Sequence, residues 1–214
     1  MRKLIVGLLV LCGVSTAARA YPAWMQSDKS GRFMFNLKFG AAIGVRDIIT
    51  GPNAPPSRRG DDYFALVLDF GFAVDDAKNA YIVVPLQFQV HDTGCVASPI
   101  TGQGCFANNT SEPWQTIMIP VGFQYDIAIK AVPGLYITPR LIVGYAAYVP
   151  DVGNTIHAGF VAPEIGAKLI IKKRLNLGFE PFSLPIFFAP KTPVSGNTFV
   201  TIDYRLLWYA GFNF

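Results

Sequence analysis

Residues 198–214 read TFVTIDYRLLWYAGFNF, and from Val200 every second side chain is apolar up to Phe214. Strand side chains point alternately to two faces, so Val200, Ile202, Tyr204, Leu206, Trp208, Ala210, Phe212 and Phe214 share one of them. Thr201, Asp203, Arg205, Tyr209, Gly211 and Asn213 share the other. A soluble sandwich rarely sets so wide an apolar face against charges. The stretch reads as one membrane-spanning β-strand.

The same alternation recurs upstream. Segments of roughly 9 to 11 residues cross a bilayer when tilted, and the sequence predicts eight, some with extra residues at their ends. They are Arg32 to Ile43, Tyr63 to Val74, Ala80 to Val90, Trp114 to Ile127, Leu135 to Tyr148, Ala158 to Ile171, Leu175 to Phe188, and Thr198 to Phe214. Phe33, Phe35, Leu37, Phe39 and Ala41 point outward from the first, and Phe64, Leu66, Leu68, Phe70 and Phe72 from the second. The connections Asp75 to Asn79, Lys130 to Gly134 and Lys172 to Arg174 are short. They alternate with Val45 to Asp62, His91 to Pro113, Pro150 to His157 and Ala189 to Asn197, which are mostly longer. Short periplasmic turns, long outer loops and an even strand number predict an all-β fold, an eight-stranded antiparallel up-and-down transmembrane barrel over 31–214. Residues 21–30 would form a periplasmic segment before it. Aromatics near strand ends are expected to form two interfacial girdles, with Trp114, Tyr63 and Phe160 outside and Tyr81, Tyr125, Tyr136, Phe212 and Phe214 inside.

As a pattern, Gly31 to Phe214 resembles the small eight-stranded outer-membrane proteins of Gram-negative bacteria, the class of the OmpA transmembrane domain, OmpX and OmpW. Its most specific piece is the closing WYAGFNF. This resembles the aromatic signal that barrel assembly machinery recognises, which would make Trp208, Phe212 and Phe214 that signal. The resemblance implies outer-membrane lipids and the assembly machinery as partners, and location in the bacterial outer membrane.

The beginning of the chain agrees. Arg2 and Lys3 precede the apolar run Leu4 to Val14, and Ala18-Arg19-Ala20 offers small residues for a signal peptidase, so 1–20 is expected to be a cleaved secretory signal. Removing Arg2, Lys3 and Arg19 lowers the basic count from 18 to 15 against 14 acids, a net charge of about +1. No basic block remains that could track phosphates, and nucleic-acid binding is not expected. Charged residues are 15% of the chain against roughly 25% in soluble domains, while 51% of residues are hydrophobic. A closed barrel reconciles that greasiness with the absence of any segment long enough for a transmembrane helix.

The residues that could carry chemistry are few. Cys95 and Cys105 share one long outer connection and, in an exported chain, are expected to form a disulfide contributing on the order of 3 kcal/mol. Only His91 and His157 remain available as histidines in the mature chain, so no metal site and no cofactor is expected. A lipid A deacylase-type barrel enzyme resembles a His, Ser and acid arrangement that neither histidine offers. Asp61-Asp62 with His91-Asp92 is a faint likeness to larger aspartyl-type barrel proteases. The expected function is therefore non-enzymatic: a structural or surface role, or a narrow channel for small apolar compounds, with such a compound as its ligand. A lipid-modifying barrel enzyme and a secreted soluble ligand-binding barrel are the alternatives.

Inward positions include Lys38, Asp69, Gln87, Gln89, Gln124, Asp126, Arg140, Glu164, Lys168, Glu180, Asp203 and Arg205. An eight-stranded lumen is just wide enough to be filled by side chains, so these charges are expected to pair into a plug. Gly40, Ala42, Gly44, Gly144 and Ala146 could instead leave a small cup open outward. Proline fits a closed ladder poorly, because each one removes an N–H and a barrel has no edge to hide the loss. The expected register puts Pro85 opposite Pro120. It brings Pro139, Pro163 and Pro185 together as a candidate lateral gate between the fifth and seventh strands, while the seam between first and last strands should be firm.

Overall fold

The computed structural model describes residues 29–51, 63–91, 114–150, 155–189 and 198–214. The signal segment, the disulfide candidates Cys95 and Cys105, and most of the four longer connections lie outside the described residues. Ten strand segments make eight staves of one wall: β1 (Phe33–Thr50), β2 (Tyr63–Ala73), β3 (Ala80–His91), β4 (Trp114–Tyr125), β5 (Ile127–Ala128), β6 (Leu135–Pro150), β7 (Ile156–Ile171), β8 (Leu175–Ser183), β9 (Ile186–Ala189) and β10 (Thr198–Asn213). β4 and β5 are one stave interrupted at Asp126, and β8 and β9 another interrupted at Leu184 and Pro185. Every stave pairs antiparallel with its sequence neighbours, and β10 returns to pair with β1. Closure removes both edges, so the backbone's polar groups find partners within the wall.

The side chains invert the soluble arrangement. Trp208 on the outside is 52% exposed, while its neighbour-but-two Arg205, facing the lumen, is 0% exposed. Phe33, Phe39, Phe64, Phe70, Ile119 and Leu141 likewise stand outward on their own staves. A band of exposed aromatic and branched residues round a polar interior suits hydrocarbon and not water. The fold is a closed eight-stranded transmembrane barrel.

Several boundaries differ from expectation. β1 runs to Thr50, well past Ile43, because Arg46 to Thr50 keep pairing with Ile202 to Thr198 after a bulge at Val45. The apolar pattern marks only the part of a stave inside lipid, and the strand continues beyond it. β6 reaches Pro150 and β7 begins at Ile156 for the same reason. The seventh stave is not regular: Phe182 pairs with Ile165 but Phe179 with Ala167, so β8 carries one extra residue around Pro181. That β-bulge switches the inward parity from Asn176 and Glu180 below it to Ser183 and Phe187 above.

The girdle expectation needs correction. Tyr63, Tyr81, Tyr136 and Phe160 are buried in the lumen, whereas Tyr125, Phe212 and Phe214 are exposed as expected. The four share parity with Asp69, Gln87, Arg140 and Glu164 on their own staves, which fixes them inside whatever their chemistry.

The short turns gather at the end where β1 starts and β10 finishes. In the β7–β8 turn Lys172 and Lys173 have φ of 50° and 64°, and Arg174 N donates to Ile171 O at 3.2 Å. The connection is three residues long, with Ile171 paired to Leu175, and its first two residues sit in the left-handed region that Asn and Gly adopt most readily, where a lysine costs about 1 kcal/mol or more.

Candidate functional site

The lumen holds ten buried charged side chains among the described residues, five cations and five carboxylates: Lys29, Lys38, Arg140, Lys168, Arg205 and Asp69, Asp126, Glu164, Glu180, Asp203. They form three tiers along the barrel axis. In the middle tier Lys38 lies 3.1 Å from Asp69 and also pairs with Glu180. Arg140 grips Asp69 through both terminal nitrogens, at 2.9 and 3.1 Å, and shares one of them with Glu180 at 3.1 Å. Its Nε lies 3.5 Å from Glu164, which accepts a bond from Ser183 Oγ at 2.9 Å. β1, β2, β6, β7 and β8 thus meet at one point of the axis. Guanidinium suits this junction because its planar fork reaches several carboxylates at once.

In the tier nearer the longer connections, Arg205 Nε donates to Tyr63 OH at 2.9 Å and Tyr63 donates to Asp203 at 2.7 Å. Arg205 also bonds Gln87 across the lumen, and Gln89 Nε2 reaches Tyr63 OH at 3.2 Å. Beside this tier an apolar cluster includes Met118, Ile142, Ala146, Ala158, Phe160 and Phe187, with the two phenylalanine rings 5.5 Å apart. The small residues expected to leave a cup are buried here: Ala42 and Ala146 are enclosed, and Gly40 lies so near β10 that a Cβ would sit 1.9 Å from Leu206 O.

The tier at the terminal end contains the residue that sequence reasoning missed. Lys29, outside any strand, reaches up into the mouth. Its Nζ lies 2.6 Å from Asp126 Oδ2, 3.3 Å from Asn79 Oδ1, and 4.6 Å from the centre of the Tyr136 ring. Lys168 binds the same Asp126 oxygen at 2.5 Å, and Gln124 donates to the other oxygen at 2.7 Å. Burial pushes the Lys29 ammonium down to about 8, with Asp126 opposing the shift and Lys168 adding to it. Nothing periodic marks a residue that acts from beyond the strand. Just above, Asn176 Nδ2 donates to Asn36 at 3.2 Å and to Asn213 at 3.1 Å, and Asn213 donates back to Asn176 Oδ1 at 2.8 Å. Parity with Lys38 and Glu180 would have found the first two.

All seven expected network members are in the lumen: Lys38, Asp69, Arg140 and Glu164 meet in the middle tier, Lys168 lies below, and Asp203 and Arg205 above. The expected gate prolines are less concentrated. Pro139 stands opposite Ile165 and Pro163 opposite Leu141, in a β6–β7 ladder that runs unbroken from Leu135 with Leu169 to Tyr148 with Ile156. Pro163 and Pro185 carbonyls accept from Leu184 and Asp203. The ladder interruption falls on β3–β4, between Val83 with Gly122 and Gln87 with Met118, where the register sets Pro85 against Pro120. Trp208 and Phe212 of the closing motif, with Phe214, line the lipid face.

Among the described residues no group of three or more His, Cys, Asp or Glu side chains is placed to hold a metal ion. His157 pairs instead with the Tyr145 hydroxyl on the outer face. The fold and the filled lumen define an eight-stranded barrel of the outer-membrane type.

No family model matches the chain, and no curated protein matches it. Solved structures do. Outer membrane protein AlkL, determined in DMPC lipid bilayers, is similar over 91% of this chain and 95% of its own, at 16% identity and a TM-score of 0.44. Neisserial surface protein A is similar over 81% and 96%, at 12% identity and 0.40. Ail, the attachment invasion locus protein of Yersinia pestis, is similar over 84% and 99%, at 9% identity and 0.36.

Proposed function

We propose that the protein is a non-enzymatic outer-membrane barrel with a structural or surface role, exported by residues 1–20, recognised for assembly through Trp208, Phe212 and Phe214, and closed to ions along its axis. The observation that carries this reading is the charge-balanced network of five buried cations and five buried carboxylates that crosses the lumen in three tiers. Ions moving along the axis would have to break paired charges in a low-dielectric interior, where breaking one side of a pair costs about 3–5 kcal/mol. What such a wall offers the cell is then the set of connections 52–62, 92–113, 151–154 and 190–197 that join its staves. A disulfide between Cys95 and Cys105 would tether the largest of them.

Planar-bilayer recording of the refolded mature protein tests this directly. A silent bilayer is expected, and discrete conductance steps would overturn it. Heat-modifiable gel migration from an outer-membrane fraction separates it from a secreted soluble barrel.

A lateral route for small apolar compounds is the second reading, favoured by the interrupted ladder at Pro85 and Pro120. If the route lies there, Pro85→Val with Pro120→Val abolishes uptake of an apolar solute. If it lies instead at the Pro139, Pro163 and Pro185 group, Pro139→Val with Pro163→Val does so.

A further inference from the structure

On the lipid-facing wall, across β6, β7, β8 and β10, lies a groove of about 410 Å³ lined by Leu135, Leu169, Leu177, Phe179 and Trp208. Its floor is Gly178. A Cβ there would sit 2.0 Å from Cζ of Tyr209, so the ring packs directly on the glycine backbone and closes the wall from the lumen side. Phe179 and Trp208 stack at 4.1 Å along its side. The volume is in the range of sites that hold a small ligand.

Directly below the groove is the β7–β8 turn, with Lys172, Lys173 and Arg174 all exposed. No acid occurs in the chain between Glu164 and Glu180. Both lysines occupy left-handed backbone, which favours Asn and Gly over lysine, so the cationic surface of this turn comes at a conformational cost. Leu177 stands three residues above Arg174, roughly 10 Å along a strand rising about 3.3 Å per residue. That is the distance from a lipid phosphate to the upper part of its acyl chain.

We propose that the turn and groove together bind one anionic glycerophospholipid of the periplasmic leaflet, its phosphate on Lys172 and Arg174 and one acyl chain in the groove over Gly178. The inference rests on the outer-membrane reading above, which sets this turn in the periplasmic headgroup layer. Basic residues at a membrane surface attract anionic lipid by on the order of fivefold per cation.

The test uses the full mature protein in nanodiscs of phosphatidylcholine with phosphatidylglycerol. Gentle detergent extraction and native mass spectrometry then count the lipids retained. The wild type is expected to hold phosphatidylglycerol at least fivefold over phosphatidylcholine. Lys172→Glu with Arg174→Glu should bring the two to parity, and Leu177→Trp, filling the groove, should lower retention of both. Heat-modifiable migration checks that each variant is folded. An unchanged preference in the charge-reversal variant would overturn the proposal. So would binding of inorganic phosphate to Lys172 and Arg174 as tightly without lipid, since the site would then recognise the free anion. Conductance in planar bilayers would sink the closed-lumen reading while leaving the lipid count unaffected, so the two fail separately.

Discussion

Two seams of the same wall are built to different standards. β1 and β10 pair from Met34 with Asn213 to Thr50 with Thr198 with a single slip, and neither stave contains a proline. β3 and β4 lose their ladder at midspan, where two prolines face each other. Both seams lie in the same bilayer with the same need to satisfy backbone groups, so the second must be braced by something other than its own ladder. The lumen supplies that brace. Arg205, on the firm β10, reaches across to Gln87 on β3, and Lys29 binds Asn79 at the foot of β3 and Asp126 at the foot of β4. The closing strand therefore does more than complete the barrel, because its lumen face supports the weakest part of the opposite wall.

The largest effect should come from removing that brace. Arg205→Ala removes the buried cation beside Asp203 that bonds Tyr63 and Gln87, and is expected to cost about 3–5 kcal/mol in urea unfolding followed by tryptophan fluorescence. Arg205→Met with Asp203→Asn removes both charges and should cost much less. If the single variant loses under 1 kcal/mol, the lumen is not what holds the seams together. Next in size, a proline introduced into the firm seam, Ala41→Pro, should cost roughly 1–3 kcal/mol for the ladder bond left unmade. Pro85→Val with Pro120→Val should instead gain about 1 kcal/mol per bond restored. Amide exchange at Val84, Leu86, Ile119 and Val121 is expected to be fast in the wild type and slow in the double variant. Equal exchange at both seams would remove the contrast.

How much of this the sequence discloses depends on whether alternation survives. Along regular staves it does: parity alone puts Lys38, Asp69, Arg140 and Arg205 inside, and the facing of Pro85 and Pro120 follows from pairing the two consecutive strands around the long connection between them. It fails where residue type is weighed above position, as with Tyr63, Tyr81, Tyr136 and Phe160, whose aromatic character suggests the membrane interface although their parity is that of the lumen. It also fails at the bulge around Pro181, where one extra residue turns Ser183 and Phe187 inward. Lys29 has no pattern to read, because its role is set by what lies above it.

Lys29 also gives the weak seam a pH dependence. Below pH 8 its ammonium is charged in both folded and unfolded chains, and the folded state bears the burial cost. Between about 8 and the ordinary value of 10.5 the unfolded chain still holds a proton that the folded one has released, so stability rises with pH across that window. The unfolding midpoint should increase between pH 8 and 10, and Lys29→Met should flatten the rise. A rise of equal size in the variant would assign it to another group, and a titration midpoint at or above 10 for the Lys29 amine would show that burial does not govern it.

The smallest effect should appear beside the firm seam, at the β7–β8 turn, whose Lys173 carbonyl accepts from Ser30 N and whose Arg174 carbonyl accepts from Asn213 N at the end of β10. Lys172→Asn with Lys173→Gly supplies the residues that left-handed backbone prefers, and should raise stability by about 1 kcal/mol, because the two lysines pay a steric cost that asparagine and glycine avoid. A gain there together with lost phosphatidylglycerol would mean that the turn trades stability for a cationic surface. A loss of stability would mean that the lysine stems pack against the wall and offset their own strain, leaving the lipid preference to stand on Arg174 and the groove.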